Sequence, residues 1–202
     1  VWKNGSILDM EAPHDHLGEV IEHYLPQHEM FREIMERSYA VLNTHPINLR
    51  RAKEGKRKAN SLWFWGGGVQ PKLENFYAKT GLHGAMISAV DLLKGIAVGI
   101  GMEVITVPGA NGSLDTNYAG KAAAGLDALL NRDMDLVFIH VEAPDEMGHQ
   151  GSLERKLKAI EFLDERVIKI VKEQMDASGV DYRMLVTPDH PTPIEIRTHS
   201  SD

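Results

Sequence analysis

The chain has no cysteine at all. That removes a disulfide framework and any thiolate metal site, so a bound metal would have to rely on His, Asp or Glu. No apolar run approaches the roughly 18 residues that a membrane-spanning helix requires, which argues against a membrane partner. The start of the chain lacks the basic-then-apolar pattern of a signal peptide. Excess positive charge is also missing: net charge is −7, with 22 Lys+Arg against 29 Asp+Glu. A binder of nucleic acid needs a basic face, so nucleic acid is not the expected partner. A small anionic substrate is not excluded, because it needs only a local cluster of Arg and Lys. No internal repeat or low-complexity tract is evident. These absences point to a soluble, cytoplasmic protein. Val1 stands where an initiator Met would, and the chain stops at His199-Ser200-Ser201-Asp202. The expectation is a piece of a longer protein.

With 202 residues, 43% of them hydrophobic, one well-buried core is attainable. Residues 1–18 read as loop. Residues 19–43 carry a helical pattern, with Phe31, Ile34, Met35, Ser38 and Leu42 at three- and four-residue steps, closed by His45-Pro46. A basic segment follows over 48–60, then the apolar run Leu62-Trp63-Phe64-Trp65 and three glycines. Trp63 and Trp65 are expected to pack in a core or lid, and His14 and Asp15 to stabilise a loop.

From residue 84 strands and helices alternate. Strands are expected at 84–89, 103–107, 135–141 and 182–186, and helices at 90–99, 117–131 and 153–175. The runs 135–141 and 182–186 are nearly continuous apolar stretches, as strands buried on both faces should be. Such alternation predicts an α/β layered sandwich with a mainly parallel sheet. Residues 1–83 are expected to form a cap-like or connecting region, and residues 84–202 a metal-binding core.

The chemistry concentrates where those strands end. Asp145 and His149 follow the run 135–141, and Asp189 and His190 follow 182–186, with His199 nearby. In parallel sheets ligands bind beyond the carboxyl ends of the strands. Carboxylate and imidazole together suit Zn²⁺, Mn²⁺ or a similar ion. Each pair alone has an ordinary alternative, a helix cap with a surface histidine or a Pro-rich turn; the coincidence of two pairs and a third His favours a metal site.

These residues belong to longer patterns. Val141-Glu142-Ala143-Pro144-Asp145-Glu146-Met147-Gly148-His149, Thr187-Pro188-Asp189-His190-Pro191-Thr192-Pro193 and Arg197-Thr198-His199 resemble the archaeal-type cofactor-independent phosphoglycerate mutases of the alkaline phosphatase superfamily. Asn48 with Arg51, Trp65-Gly66-Gly67-Gly68, Ser88 to Leu92, and Val107 to Lys121 fit the same branch, so the resemblance covers nearly the whole chain. It implies an alkaline-phosphatase-like core and two divalent metal ions (Mn²⁺, Zn²⁺ or Mg²⁺). One would be held by Asp145, His149 and His199, the other by Asp189 and His190. It also implies a glycolytic enzyme that interconverts 3-phosphoglycerate and 2-phosphoglycerate through a phospho-enzyme. Arg50, Arg51 and Lys121 are the candidate contacts to the anionic substrate. The family's nucleophilic Ser or Thr, and a further Asp ligand, have no counterpart here; the expectation is therefore no catalytic residue on this chain, no activity for it alone, and a single bound metal. Homo-oligomerisation stays open. So do two rival readings: another phosphatase or phosphomutase of that superfamily, and a non-catalytic metal-binding module.

Overall fold

A computed structural model describes residues 10–16, 18–69 and 71–200. The chain divides into two compact units, Val1–Gln70 and Pro71–Asp202. The expected boundary at 83/84 lies thirteen residues further on. The difference is helix α3, Phe76–Thr80, which belongs with the sheet. Phe76 N–H donates to the Ile100 carbonyl (2.7 Å), and its ring packs on the cluster formed by Met86, Ala97 and Met102.

In the first unit, helix α1 spans Glu29–Thr44 and helix α2 Pro46–Lys53. The helical pattern expected from residue 19 starts ten residues later, since Leu25 precedes Pro26 and takes an extended conformation. Phe31 and Met35 form the buried stripe of α1. The expected basic loop is half helix. Pro46 occupies the first turn, where its missing N–H costs nothing, and the His45 ring accepts from Ile47 N–H (3.3 Å). Buried Asn48 ties the unit together, donating to the carbonyls of Leu42 (2.8 Å) and Ala59 (2.7 Å) and accepting from Ala59 N–H (2.9 Å). Trp63 Nε1 donates to the Glu11 carbonyl (2.9 Å). The side chains of His14 and Asp15, and residues 1–9 of the expected loop, lie outside the described residues.

The second unit is built on a three-stranded parallel sheet ordered β2-β1-β3, with β1 Gly84–Ile87, β2 Glu103–Val104 and β3 Leu136–Ile139. Helix α4, Asp91–Gly99, links β1 to β2, and α5, Tyr118–Asn131, links β2 to β3. This is the expected alternating α/β arrangement. Central β1 is buried throughout. Gly125 lets α5 lie close on β3, because a Cβ there would meet Ile139 Cδ1 at 2.6 Å. After β3 come α6, Ala143–His149, α7, Leu153–Leu163, a wide turn of π-helix at Asp164–Ile168, and α8, Lys169–Ser178. Tyr118, Ala122, Ala143, Met147, Ala159, Val167, Val171 and Met175 form the main core.

Three expectations fail here. Residues 182–186 form no strand, and Leu185 and Val186 are 85% and 58% exposed. An apolar sequence supplies β-propensity but no ladder partner, and among the described residues none lies beside this run. Likewise β3 is not buried on both faces: Phe138 is 48% exposed, as an edge position allows. Only the second half of the expected 153–175 stripe, Val167, Val171 and Met175, is buried; Leu153, Leu157 and Ile160 face solvent.

Candidate metal centre

Helix α6 supplies the first two candidate ligands. Asp145 and His149 are four residues apart, so one helical turn sets them on the same face. Their atoms Oδ2 and Nε2 are 3.3 Å apart. His199 arrives from fifty residues along the chain. Its Nε2 is 3.1 Å from His149 Nε2 and 3.4 Å from Asp145 Oδ1. Ligands on a tetrahedral ion with bonds of about 2.0–2.1 Å stand roughly 3.3–3.4 Å apart; the three side chains approach one another at such distances, Asp145 turning Oδ2 to His149 and Oδ1 to His199. They form a cluster suited to a metal among the described residues. All three side chains are partly open to solvent, at 30%, 33% and 53%.

The lone pair of His149 is aimed by the main chain. His149 Nδ1 lies 2.9 Å from the Arg197 carbonyl oxygen. A carbonyl only accepts, so Nδ1 carries the hydrogen and Nε2 is left free to bind a metal. Arg197 reaches that position with φ at +54°, a rare conformation for a residue with a Cβ. Its guanidinium lies over Gly151, where a Cβ would come within 2.4 Å of Nε.

The second pair adjoins the first. The rings of His190 and His199 have centroids 3.8 Å apart. His190 Nε2 is 3.3 Å from Asp189 Oδ2, and His190 N–H donates to Asp189 Oδ1 (2.9 Å). The turn through Pro188 and Pro191 thus brings two adjacent side chains to one side. Asp145, His149 and His199 thus cluster after β3, and the Asp189–His190 pair adjoins them through the ring of His199.

Lys121 is placed differently from a substrate contact. It is fully buried, and its Nζ donates to Glu142 Oε2 (2.9 Å) and to the His140 carbonyl (2.9 Å). Glu142 Oε1 also accepts from Ser88 Oγ (3.3 Å) and Ala89 N–H (3.0 Å). Burial alone would raise the Glu142 carboxyl. Hydrogen bonds from His140 and Lys121, with the Lys121 charge, outweigh it and hold the group at about 2. Glu142 directly precedes α6, so this network bolts the ligand helix to the end of β1 and to α5. Arg50 and Arg51 are exposed on α2 in the first unit, where Arg51 Nε donates to the Arg57 carbonyl (2.9 Å). Thr192, which carries no site signal of its own in the sequence, donates its hydroxyl to Asp145 Oδ1.

The metalloenzyme superfamily model matches residues 9–202, and the chain belongs to that superfamily. Membership implies divalent metal ions, and the Asp145–His149–His199 donor set fits one by chemistry and spacing. The chain is 52% identical over 201 residues to the 2,3-bisphosphoglycerate-independent phosphoglycerate mutase of Methanosarcina acetivorans, covering 98% of this chain and 50% of that protein. It is 50% identical over 204 residues to a probable enzyme of the same name from Geobacter sulfurreducens, covering 99% of this chain and 50% of that protein. Among solved structures, the PH0037 protein from Pyrococcus horikoshii superposes with a TM-score of 0.67 at 35% identity, over 86% of this chain and 45% of the other. The chain spans about half the length of the curated relatives it matches. Among the described residues no helix is long and apolar enough to cross a membrane.

Proposed function

We propose that the intact protein interconverts 3-phosphoglycerate and 2-phosphoglycerate with divalent ions held by Asp145, His149 and His199 and by Asp189 and His190. The observation that carries this reading is the cluster of Asp145, His149 and His199, whose side chains approach one another at 3.1–3.4 Å although drawn from residues up to 54 positions apart. Relatives near 50% identity that bear the mutase name support it. Imidazole with carboxylate favours Zn²⁺ or Mn²⁺ over Mg²⁺. Such ions, when bound, lower the pKa of an attacking hydroxyl and neutralise the oxygens of a phosphoryl group.

The chain's own residues hold and orient. His149 offers Nε2 because the Arg197 carbonyl takes its other nitrogen. The partial exposure of the triad leaves a path for a small phosphate ester. Arg50 and Arg51, on α2 of the first unit, carry guanidinium forks of the kind that pair with planar oxyanions. Lys121, already bonded to Glu142, is assigned to the frame of the ligand helix. Transfer runs through a phospho-enzyme, and the nucleophile has no assigned position in this chain. Turnover is therefore a property of the intact protein rather than of these 202 residues alone.

Product analysis tests the proposal. Metal-loaded intact protein given 3-phosphoglycerate is expected to form 2-phosphoglycerate with little free phosphate. His149→Ala and Asp189→Ala are each expected to lower metal content and abolish that conversion. Free phosphate as the main product would instead mark a phosphatase. Metal binding without conversion of either ester would mark a non-catalytic binding module.

A further inference from the structure

Thr192 is a polar side chain that touches both halves of the proposed metal centre. It is 4% exposed, although it follows an exposed run of chain. Its Oγ1 donates to Asp145 Oδ1 and lies 3.5 Å from His190 Nδ1. Its own carbonyl accepts from Lys156 Nζ of α7 (2.7 Å). Gly148 makes room for it, since a Cβ there would fall 2.6 Å from that carbonyl oxygen and 3.0 Å from Thr192 Cγ2. Main chain and side chain of Thr192 are thus fixed from two sides.

A threonine hydroxyl has one proton, and an ionised carboxylate has none. The proton is therefore spent on Asp145, and Oγ1 can only accept from His190. When an ion takes His190 Nε2, the ring's hydrogen sits on Nδ1, where Oγ1 accepts it at 3.5 Å; without an ion, the Asp189 carboxylate 3.3 Å from Nε2 draws the hydrogen to that side. His149 has the same arrangement, with the Arg197 carbonyl in place of the hydroxyl. Outer groups of this kind set the orientation and basicity of metal ligands.

We infer that Thr192 is a positioning residue: one hydroxyl fixes the Asp145 carboxylate on the first ion and the His190 ring on the second. This rests on the metal reading above and adds a coupling between the two ligand sets. Thr192→Val removes the hydroxyl while keeping shape, and Thr192→Ser keeps the hydroxyl while removing a methyl. With Mn²⁺ as the probe, titrated into the metal-free intact protein, the Val variant is expected to bind about 10- to 100-fold more weakly. The Ser variant is expected to remain close to the original, and both metal-free variants to melt near the parent temperature. A merely structural role would move melting temperature and leave Mn²⁺ affinity alone. Mn²⁺ affinity in the Val variant within twofold of the parent overturns the inference while leaving the metal site standing. A parent protein that binds no Mn²⁺ overturns the metal reading and this inference with it. If the Val variant does not fold, ¹⁵N shifts of the His190 ring in the Zn²⁺-loaded parent protein decide. Hydrogen on Nδ1 is the expected form, and hydrogen on Nε2 overturns the assignment.

Discussion

Two stretches of this chain were written in the same way, an apolar run followed by an acid and a histidine, yet they are held by different means. The first, 136–149, is anchored from below. Its strand pairs with β1, and the buried Lys121–Glu142 pair fixes the start of α6. The second, 182–190, has no ladder, and Leu185 and Val186 face solvent. Its Asp189 and His190 are placed from the side, by Thr192 on Asp145 and by Lys156 on the Thr192 carbonyl. A metal centre can thus join one arm fixed by the core to another fixed by contact with the first.

The largest way to break that contrast is to cut the anchor of the first arm. Lys121→Met would leave the Glu142 carboxylate in the core without its lysine counterion, and thermal or urea unfolding should show a loss of about 3–5 kcal/mol. The double change Lys121→Met with Glu142→Leu should recover a large part of it, since replacing both partners of a buried pair is far milder than removing one. Acid should act on the same anchor. Glu142 titrates at about 2 in the folded chain, against an ordinary 4.5. Its contribution is therefore present above pH 4.5 and is lost as pH falls toward 2. The amount is on the order of 3 kcal/mol, and Glu142→Gln should flatten that part of the stability–pH curve. The smallest effect is expected on the second arm. Leu185→Lys should change stability by less than about 0.5 kcal/mol if the side chain faces water. A loss of several kcal/mol in the intact protein would show that this run is covered there, and would make the two arms alike.

The sequence disclosed the alternating elements and the acid–histidine pairs because both rest on local signals. Strand and helix periods show through Gly84–Ile87 and Tyr118–Asn131, and acid–histidine spacing shows in Asp145 and His149. What escaped depends on contacts far along the chain. Lys121 stands in the sequence as a candidate substrate contact near a helix start, and only the fold sets it against Glu142, twenty-one residues away. Thr192 gains its meaning from Asp145, forty-seven residues away. The run 182–186 was read as a buried strand from composition, which states a preference for pleated structure and says nothing of whether a neighbouring strand is there. Helix α2 was missed although Pro46 at its first turn was a usable start signal.

The contact between Arg197 and His149 shapes how mutational scans of this centre should be interpreted. What His149 receives is a main-chain oxygen, which all twenty amino acids possess. Truncating Arg197 to alanine would remove a charge and keep that oxygen, so a scan would report on the guanidinium and miss the role. Proline or a β-branched residue, which resists the left-handed twist at that position, would turn the oxygen away and let the imidazole proton migrate to the metal-facing nitrogen.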